Sequence, residues 1–203
     1  MVRLLYGFPY SANTHRARLM LSILELDFED KSVNLLTNEQ RSDGYLAVNP
    51  LGQVPALVDD GKTLIDSHAI LVYLAKRYNP RDWWHDDPGD LAQVMQWLFV
   101  DANEIHNGIG LARNHIAFRA PGDPTGPLKR ARGVLDVLEQ RLKTHEWLEL
   151  NRATLADIAC APLVSVADEA SIDMTIYPGI QRWLAQISRI PGYSALPRVG
   201  KRV

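Results

Sequence analysis

Apolar positions in the first eighty residues switch repeatedly between strand spacing and helix spacing. Four short runs suit β-strands, at 2–8, 28–35, 56–58 and 62–66, and Asp60-Gly61 makes a hairpin turn between the last two. Helical spacing follows three of these runs. The first run leads into a helix with Ala17, Leu21 and Leu24 on one face, the second into a short irregular helix over 38–48, and the fourth into a helix from Ser67. The pattern predicts the element order βαβαββα.

The chain changes character near residue 80. Residues 79–90 carry prolines, a glycine and many acids without apolar periodicity, which is typical of a linker. Two long helical stripes follow, at 91–105 and 128–142, and Thr154, Pro178 and Pro191-Gly192 bracket two more helices. Nothing after residue 90 alternates like a strand. We therefore predict an α/β domain over 1–80, a linker over 81–89, and an all-α domain, a helical bundle, over 90–203.

Composition narrows the function classes. The 203 residues are 46% hydrophobic with a formal net charge of −2, so no general attraction to nucleic acid or to an anionic membrane is expected. No apolar run approaches the ~20 residues that span a bilayer, and the N-terminus does not suit a secretory signal. The sequence predicts a cytoplasmic protein with neither nucleic acid nor membrane as partner.

Cysteine and histidine usage argues against redox and metal motifs. Cys160 is the single cysteine, so no internal disulfide framework and no Cys-x-x-Cys motif is possible. It follows the capping-box pair Thr154 and Asp157 in an apolar helix, where a core role is expected. His106 and His115 lie about half a turn out of phase on a helix, which makes a poor metal pair. The sequence predicts no metal.

Val54-Pro55 stands at the entrance of the third strand. A proline lacks the N–H that a strand needs, so it is expected at an edge, in a turn or at a cis bond. From these residues alone, a plain turn is favoured over a cis bond. A cis bond would leave the N–H and C=O of Val54 free to pair with an extended peptide.

Asp66-Ser67 stands where the next helix should begin. Ser67 suits the N-cap of a helix that starts at His68. The first N–H groups of that helix, the Ser67 hydroxyl and the helix dipole would also bind a carboxylate, while Asp66 could take a nearby ammonium. Together with Val54, the pair would bind a peptide that presents a free α-amino and α-carboxyl group.

The segment YLAVNPLGQVPALVDDGKTLIDSHAILVYLAKRY, residues 45–78, resembles the glutathione-binding half of the soluble, cytosolic-type glutathione transferases, in a bacterial-like form. SANTHRARLML resembles their active-site loop and first helix, TLADIACAPLV the capping-box helix, and YPGIQRWLAQISRIPGY the late helix. The resemblance implies a thioredoxin-like first domain, a helical second domain, and a cis bond before Pro55. It also implies glutathione as co-substrate and a homodimer.

In this family the catalytic hydroxyl or thiol lies in the turn after the first strand. A free thiol with a pKa of ~8.5 is only a few per cent ionised at neutral pH, so a donor that stabilises the thiolate raises its reactivity. The resemblance points to Ser11, as in a serine-type active-site loop, although Ser11 also suits an N-cap of the first helix. Asn13 is the second candidate, since some bacterial relatives use an amide there. Tyr6 is a third candidate, because other classes of the family use a tyrosine. It lies one residue out of register with that position, and strand geometry turns its side chain to the opposite face.

The resemblance supplies the rest of the predicted site. Glutathione would be bound by Gln40, Gln53, Val54, Pro55, Asp66 and Ser67. The small apolar electrophile would be bound by Phe8, Tyr10, Ile105, Ile109 and Arg113, although ordinary core positions are an equal interpretation of the apolar ones. Gln40 and Gln53 could equally be solvated surface residues. Asp101 matches an acid that reaches the partner subunit's glutathione in some classes, and a solvated helix position is the other interpretation.

The function implied is glutathione transfer: an enzyme binds glutathione and activates its thiolate for attack on an apolar electrophile. Two other functions are compatible with the same residues. One is a specialised glutathione-dependent isomerase, peroxidase or dehalogenase on this scaffold. The other is a non-catalytic binding module that has kept the fold, which the lack of any appended domain or charged tail disfavours.

Overall fold

The computed structural model describes residues 2–79 and 82–200. Its internal contacts define two compact units. The first comprises Met1–Trp84 with Pro191–Pro197, and the second His85–Ile190 with Arg198–Val203. Positions 1, 80 and 201–203 of the predicted domains, and position 81 of the predicted linker, lie outside the described residues. The domain boundaries drawn from the sequence stay a prediction.

The first unit is built on a four-stranded sheet with the order β2-β1-β3-β4. β1 pairs with β2 in parallel, and β3 is antiparallel to both β1 and β4. The strands are β1 (Arg3–Gly7), β2 (Phe28–Ser32), β3 (Ala56–Asp59) and β4 (Lys62–Leu64). The helices are α1 (Ala12–Ile23), α2 (Asp43–Leu46) and α3 (Ser67–Tyr78). The predicted order βαβαββα is confirmed.

Apolar side chains of α1, α3 and the two central strands form the core of this unit. α1 packs against α3, and the sheet contributes fully buried leucines from β1 and β3. β2 is shorter than the predicted 28–35, because the chain turns after Ser32 into two single-turn 3₁₀ helices, Leu35–Thr37 and Glu39–Arg41. Asn38 between them has φ of 58°, a left-handed conformation that asparagine tolerates.

A segment from near the C-terminus completes the first unit. Ser22 donates its hydroxyl to the Gly192 carbonyl at 2.7 Å, and the ring Nε2 of His15 lies 2.9 Å from the Ser194 carbonyl. Gly192 has φ of 81°, and a Cβ there would lie 2.5 Å from the Ser22 carbonyl oxygen, so only glycine fits without a shift. The hydrophobic pattern carries no signal for this return of the chain.

The second unit consists of helices and connecting loops, with no strand among its described residues. Its helices are α4 (Pro88–Val100), α5 (Leu111–Ile116), α6 (Thr125–Thr144), α7 (Leu155–Val164) and α8 (Pro178–Ile187). Asp101–Gly110 joins α4 to α5 with the wider hydrogen-bonding pattern of a π-helix, which rarely extends over ten residues. The helical bundle predicted from the sequence is confirmed. No helix in the described part of the chain is long and apolar enough to cross a membrane.

The apolar face predicted for residues 91–105 is wrong at one turn. The sequence places Ala102 on the apolar face and offers a solvated position for Asp101, whereas Ala102 is exposed and Asp101 is fully buried. Asp101 lies seven residues after the buried Val94 and three after the buried Leu98, so ordinary helical spacing already turns it toward the buried face. It was left out of the predicted stripe because it is charged.

The capping box of α7 forms as predicted. Thr154 accepts from the Ala156 N–H at 3.2 Å, and Asp157 accepts from the Thr154 N–H at 2.8 Å. The Leu148 N–H and the indole N–H of Trp183 also donate to Asp157, at 3.1 and 2.8 Å. The Thr154 hydroxyl donates to Asp157 as well, at 3.0 Å. Burial raises the pKa of the Asp157 carboxyl, and these four donors oppose that rise. Cys160 is fully buried in the same helix, as expected of a core residue.

Candidate functional site

Strand register brings three turns of the first unit to one end of its sheet. Tyr6 pairs with Ala56, so two residues further on Phe8 comes level with Val54. Leu57 pairs with Leu64, and three residues further on Val54 comes level with Ser67. Neighbouring strands lie ~4.8 Å apart. The turn after β1, the entrance of β3 and the start of α3 therefore lie side by side, and we call Ser11, Asn13, Val54, Asp66 and Ser67 the sheet-end site.

The backbone at Val54 is available to a ligand. The Val54–Pro55 bond is cis, as the family resemblance implies, and not the plain turn that the residues alone favour. Within residues 2–79 and 82–200, no group makes a hydrogen bond with the Val54 N–H or C=O. The Val54 side chain is buried, which fixes the strand entrance while its peptide groups stay unpaired.

The loop before Val54 is held by two side chains that the sequence analysis gave no role. Asn49, fully buried, donates its amide to the Gln53 carbonyl at 2.6 Å and accepts from the Leu51 N–H at 3.0 Å. The Tyr45 hydroxyl donates to the same carbonyl at 2.6 Å. Burial raises the pKa of the Tyr45 phenol to about 12, so it remains a donor at neutral pH. Asn49 lies in the segment of residues 45–78 that resembles the glutathione transferases, and this resemblance was the only sign in the sequence that Asn49 has a role.

Gln53 is the last residue of this loop, and Gln40 lies beside it. A Cβ at Gly52 would lie 2.8 Å from the Gln40 carbonyl, and Arg41 donates to the Leu51 carbonyl at 3.3 Å, so the 40–41 segment contacts the loop directly. The Gln53 side chain is exposed. The Gln40 side chain is half-buried, and its Oε1 atom is buried without a hydrogen-bond partner in the described part of the chain.

Ser11 is the N-cap of α1, and its hydroxyl oxygen accepts from the Thr14 N–H at 3.2 Å. The Thr14 hydroxyl in turn accepts from the Phe8 N–H at 3.3 Å, and the Ser11 N–H donates to the Phe8 carbonyl at 3.0 Å. A hydroxyl that accepts one bond keeps its own hydrogen to donate. Ser11 is half-buried, so that hydrogen can reach a ligand.

The start of α3 corrects one expectation. The N-cap is Asp66 and not Ser67: Asp66 Oδ1 accepts from the N–H groups of His68 and Ala69, both at 2.9 Å. A carboxylate on the helix dipole fills this role better than the next hydroxyl. Two of the N–H groups expected to bind a ligand carboxylate are therefore occupied by Asp66. The Ser67 hydroxyl makes no hydrogen bond to any described residue, so it is left for a ligand.

The five residues predicted for the electrophile differ in accessibility. Phe8 is buried and packs edge-to-face on the half-buried Tyr10, with ring centroids 5.6 Å apart. Ile105 and Ile109 have 0% exposure. Arg113, 3% exposed, donates to Glu169 at 2.6 Å and lies over the Phe118 ring. Among the described residues, no cluster of three His, Cys, Asp or Glu side chains could hold a metal ion.

Comparison with known proteins agrees with this geometry. The sequence model "Glutathione S-transferase, N-terminal domain" matches residues 1–76, and "Glutathione S-transferase, C-terminal domain" matches residues 127–191. Glutathione S-transferase GstB of Escherichia coli is 30% identical over 194 residues, which are 92% of this chain and 93% of that protein.

Solved structures give the same result. The crystal structure of a glutathione S-transferase from Pseudomonas fluorescens superposes with a TM-score of 0.90 at 30% identity, covering 97% of this chain and 99% of that one. The structure of Ure2p in complex with glutathione has a TM-score of 0.85 at 25% identity, over 94% of this chain and 91% of that one.

The fold, the cis strand entrance and these matches define a transferase of the two-unit glutathione-dependent type. The chain belongs to the glutathione S-transferase family. Its thioredoxin-like first unit and helical second unit are those of the family, and its function is glutathione transfer.

Proposed function

We propose that this protein binds glutathione at the sheet-end site and activates its thiol with the Ser11 hydroxyl for attack on a small apolar electrophile. The observation that carries the proposal is the strand register, which aligns the turn after β1 with Val54 and Ser67. A tripeptide laid across these strand ends would pair with Val54 through its middle residue, reach Ser67 with its γ-glutamyl end, and bring its cysteinyl sulfur to Ser11.

Each part of the peptide has a matching group. The free N–H and C=O of Val54 suit the cysteinyl backbone, as in strand addition to a sheet edge. The Ser67 hydroxyl and its N–H at the start of α3 suit the α-carboxylate of the γ-glutamyl residue. The Asp66 side chain is 65% exposed, and its second carboxylate oxygen suits the ammonium of the same γ-glutamyl residue. Gln40 and Gln53, next to the 51–53 loop, are proposed to bind the glycyl end, with Pro55 shaping the strand entrance.

The chemistry needs only a stabilised thiolate. The thiol proton leaves to solvent, and the Ser11 O–H then donates to the sulfur near the positive end of α1. The thiolate sulfur forms a bond to an electron-poor carbon, and the leaving group departs with its electron pair. Asn13 is proposed as a second donor in the same turn, since its amide carries N–H groups.

The electrophile is proposed to contact Phe8 and Tyr10, because Tyr10 is half-buried and follows directly on the turn that carries Ser11. The contributions of Ile105, Ile109 and Arg113 stay a prediction, since side chains with 0 to 3% exposure must be uncovered before a ligand can touch them. A cytoplasmic location is part of the proposal, because glutathione keeps thiols reduced there.

A homodimer is also proposed. Phe99 of α4 is 66% exposed and Leu51 of the site loop is 58% exposed, and a second copy of the chain is the partner that the family resemblance implies for such positions. Sedimentation analysis should find a dimer, and Phe99→Asp should shift it toward the monomer. A monomeric wild-type protein at all concentrations would contradict this part.

Retention on immobilised glutathione and turnover of an activated aryl halide test the site together. We expect the wild type to be retained and active, Asp66→Ala to lose retention, and Ser11→Ala to keep retention while turnover falls about 100-fold or more. Retention of the wild type without turnover of any electrophile would favour a binding module. Failure of the wild type to bind glutathione at all would overturn the proposal.

A further inference from the structure

The first turn of α1 buries an arginine directly beneath Asn13. Arg16 is 1% exposed, and its Nη1 donates to the Asn13 carboxamide oxygen one helical turn earlier. Residues three apart on a helix face each other, so this contact is built into the local geometry. Asn13 itself is half-buried and forms part of the sheet-end site.

The contact fixes which end of the amide faces outward. A guanidinium has only donors, so the Asn13 atom that it touches must be the carbonyl oxygen Oδ1. An amide whose two ends are usually interchangeable is therefore assigned by its partner. The other end, the Nδ2 amino group, makes no hydrogen bond to any residue in 2–79 or 82–200. Two N–H donors are thus held in the turn that carries the Ser11 hydroxyl.

We propose that Arg16 is a positioning residue that locks the Asn13 carboxamide with its N–H groups toward the glutathione sulfur, so that Asn13 and Ser11 donate to the thiolate together. The inference rests on the proposed function, since it takes glutathione at the sheet-end site as given. What the inference adds is the coupling between Asn13 and Arg16. A hydrogen bond from the cation to Oδ1 also polarises the amide and strengthens its N–H groups as donors.

The coupling predicts a distinctive pattern in the thiol pKa of bound glutathione, measured from the ultraviolet absorbance of the thiolate across a pH series. Asn13→Ala and Arg16→Met should each raise that pKa by about one unit, the value of one hydrogen bond. The double variant should raise it no further than either single change, because both remove the same donor. Arg16→Lys, which keeps a donor for Oδ1, should restore most of the wild-type value.

Arg16 makes at least one further polar contact, so Arg16→Met can also lower stability. Asn13→Asp is therefore the matched second variant: it keeps an oxygen for Arg16 and removes both N–H donors. We expect it to keep the wild-type melting temperature and to raise the thiol pKa at least as much as Asn13→Ala, since it also adds a negative charge.

Three results would overturn the inference. One is an unchanged thiol pKa in Asn13→Asp or Asn13→Ala. Another is a rise in Asn13→Ala with none in a folded Arg16→Met variant. The third is an additive double variant, which would mean that the two residues act separately. Each of these requires that the wild type binds glutathione, so failure of the proposed function would be seen first, as a wild type without a thiolate signal.

Discussion

The two helices that begin at the sheet-end site are capped at their N-termini by different chemical groups. α1 is capped by the hydroxyl of Ser11, and α3 by the carboxylate of Asp66. A hydroxyl accepts from the helix and still donates, whereas a carboxylate only accepts but brings a negative charge. The first suits a sulfur anion and the second an ammonium. Under the proposed function, Ser11 would donate to the cysteinyl sulfur of glutathione, and Asp66 would bind the ammonium of its γ-glutamyl residue.

The two helix starts also differ in burial. Thr14, His15 and Arg16 in the first turn of α1 are all at most 2% exposed, whereas the Asp66 side chain before α3 is 65% exposed. Changes at α1 should therefore act on stability as well as on chemistry, and changes at α3 mainly on binding. The predictions below test that contrast, from the largest expected change in the free energy of unfolding to the smallest.

Acid should destabilise the protein through His15. Burial, with the nearby charges of Arg18 and Arg16, lowers its pKa from 6.5 to about 4, and its Nδ1 has no partner among the described residues. The folded state therefore holds His15 neutral while the unfolded chain takes up the proton, and stability is lost as the pH falls from 6.5 toward 4. The loss should reach about 3 kcal/mol.

Chemical denaturation of the wild type and of His15→Gln at several pH values measures this loss. Glutamine can still donate to the Ser194 carbonyl but does not titrate. The free energy of unfolding of the variant should therefore rise relative to that of the wild type as the pH falls. Parallel curves for the two proteins would contradict the prediction.

Gly7→Ala should cost about 2 kcal/mol of unfolding free energy, as overpacking does. A Cβ on Gly7 would overlap the Thr14 methyl group, which is fully buried at the start of α1. The double variant Gly7→Ala with Thr14→Ser removes that methyl group and should recover part of the loss. Thermal and chemical unfolding measure both. A neutral Gly7→Ala would mean that the α1 start is not tightly packed.

Asp66→Ala should cost about 1 kcal/mol through loss of the α3 cap, whereas Asp66→Asn should leave stability nearly unchanged because an amide oxygen also caps. Both should lose retention on immobilised glutathione, because neither carries the charge proposed for the ammonium. The pair separates capping from ligand binding. Retention by Asp66→Asn would show that the charge is unnecessary.

Ser67→Ala should have the smallest effect on stability, within about 0.5 kcal/mol, because Ser67 is not the cap. Its affinity for glutathione, measured by titration calorimetry, should fall about tenfold with loss of one hydrogen bond to a charged group. A stability loss in Ser67→Ala close to that of Asp66→Ala would mean that Ser67 also caps α3.

Periodicity and turn signals were enough for the elements of the first unit, because its strands are short and bounded by proline, glycine and aspartate. They offered Ser11 as the N-cap of α1, which the structure confirms, but they placed the N-cap of α3 one residue too late. Ser67 and Asp66 both rank as good caps, and only the backbone shows that Asp66 has the extended conformation of an N-cap. The burial of Asp101 was missed because a charged residue is not expected on an apolar face, although its spacing from Val94 and Leu98 fits that face.

Contacts between distant residues had no local signal. Asn49 lay in a quoted motif, yet its bond to the Gln53 carbonyl follows from loop geometry. Arg16 looks like a surface residue, because a charged side chain is rarely buried, and its contact with Asn13 is visible only once the helix is in place. The return of 191–197 to α1 likewise depends on the folded chain. Ser11 and Val54 were chosen from the motif resemblance, and their roles stay a prediction.

The hydrogen bond from Trp183 to Asp157 has an optical consequence. The ring is fully buried, and its N–H is held 2.8 Å from a carboxylate oxygen. Indole emission shifts to longer wavelength when water reaches the ring, so the fluorescence of this side chain reports the integrity of the α7–α8 packing without any label. Replacing the other four tryptophans with phenylalanine would leave one indole beside the seven tyrosines, and the emission of that indole would follow the helical unit alone.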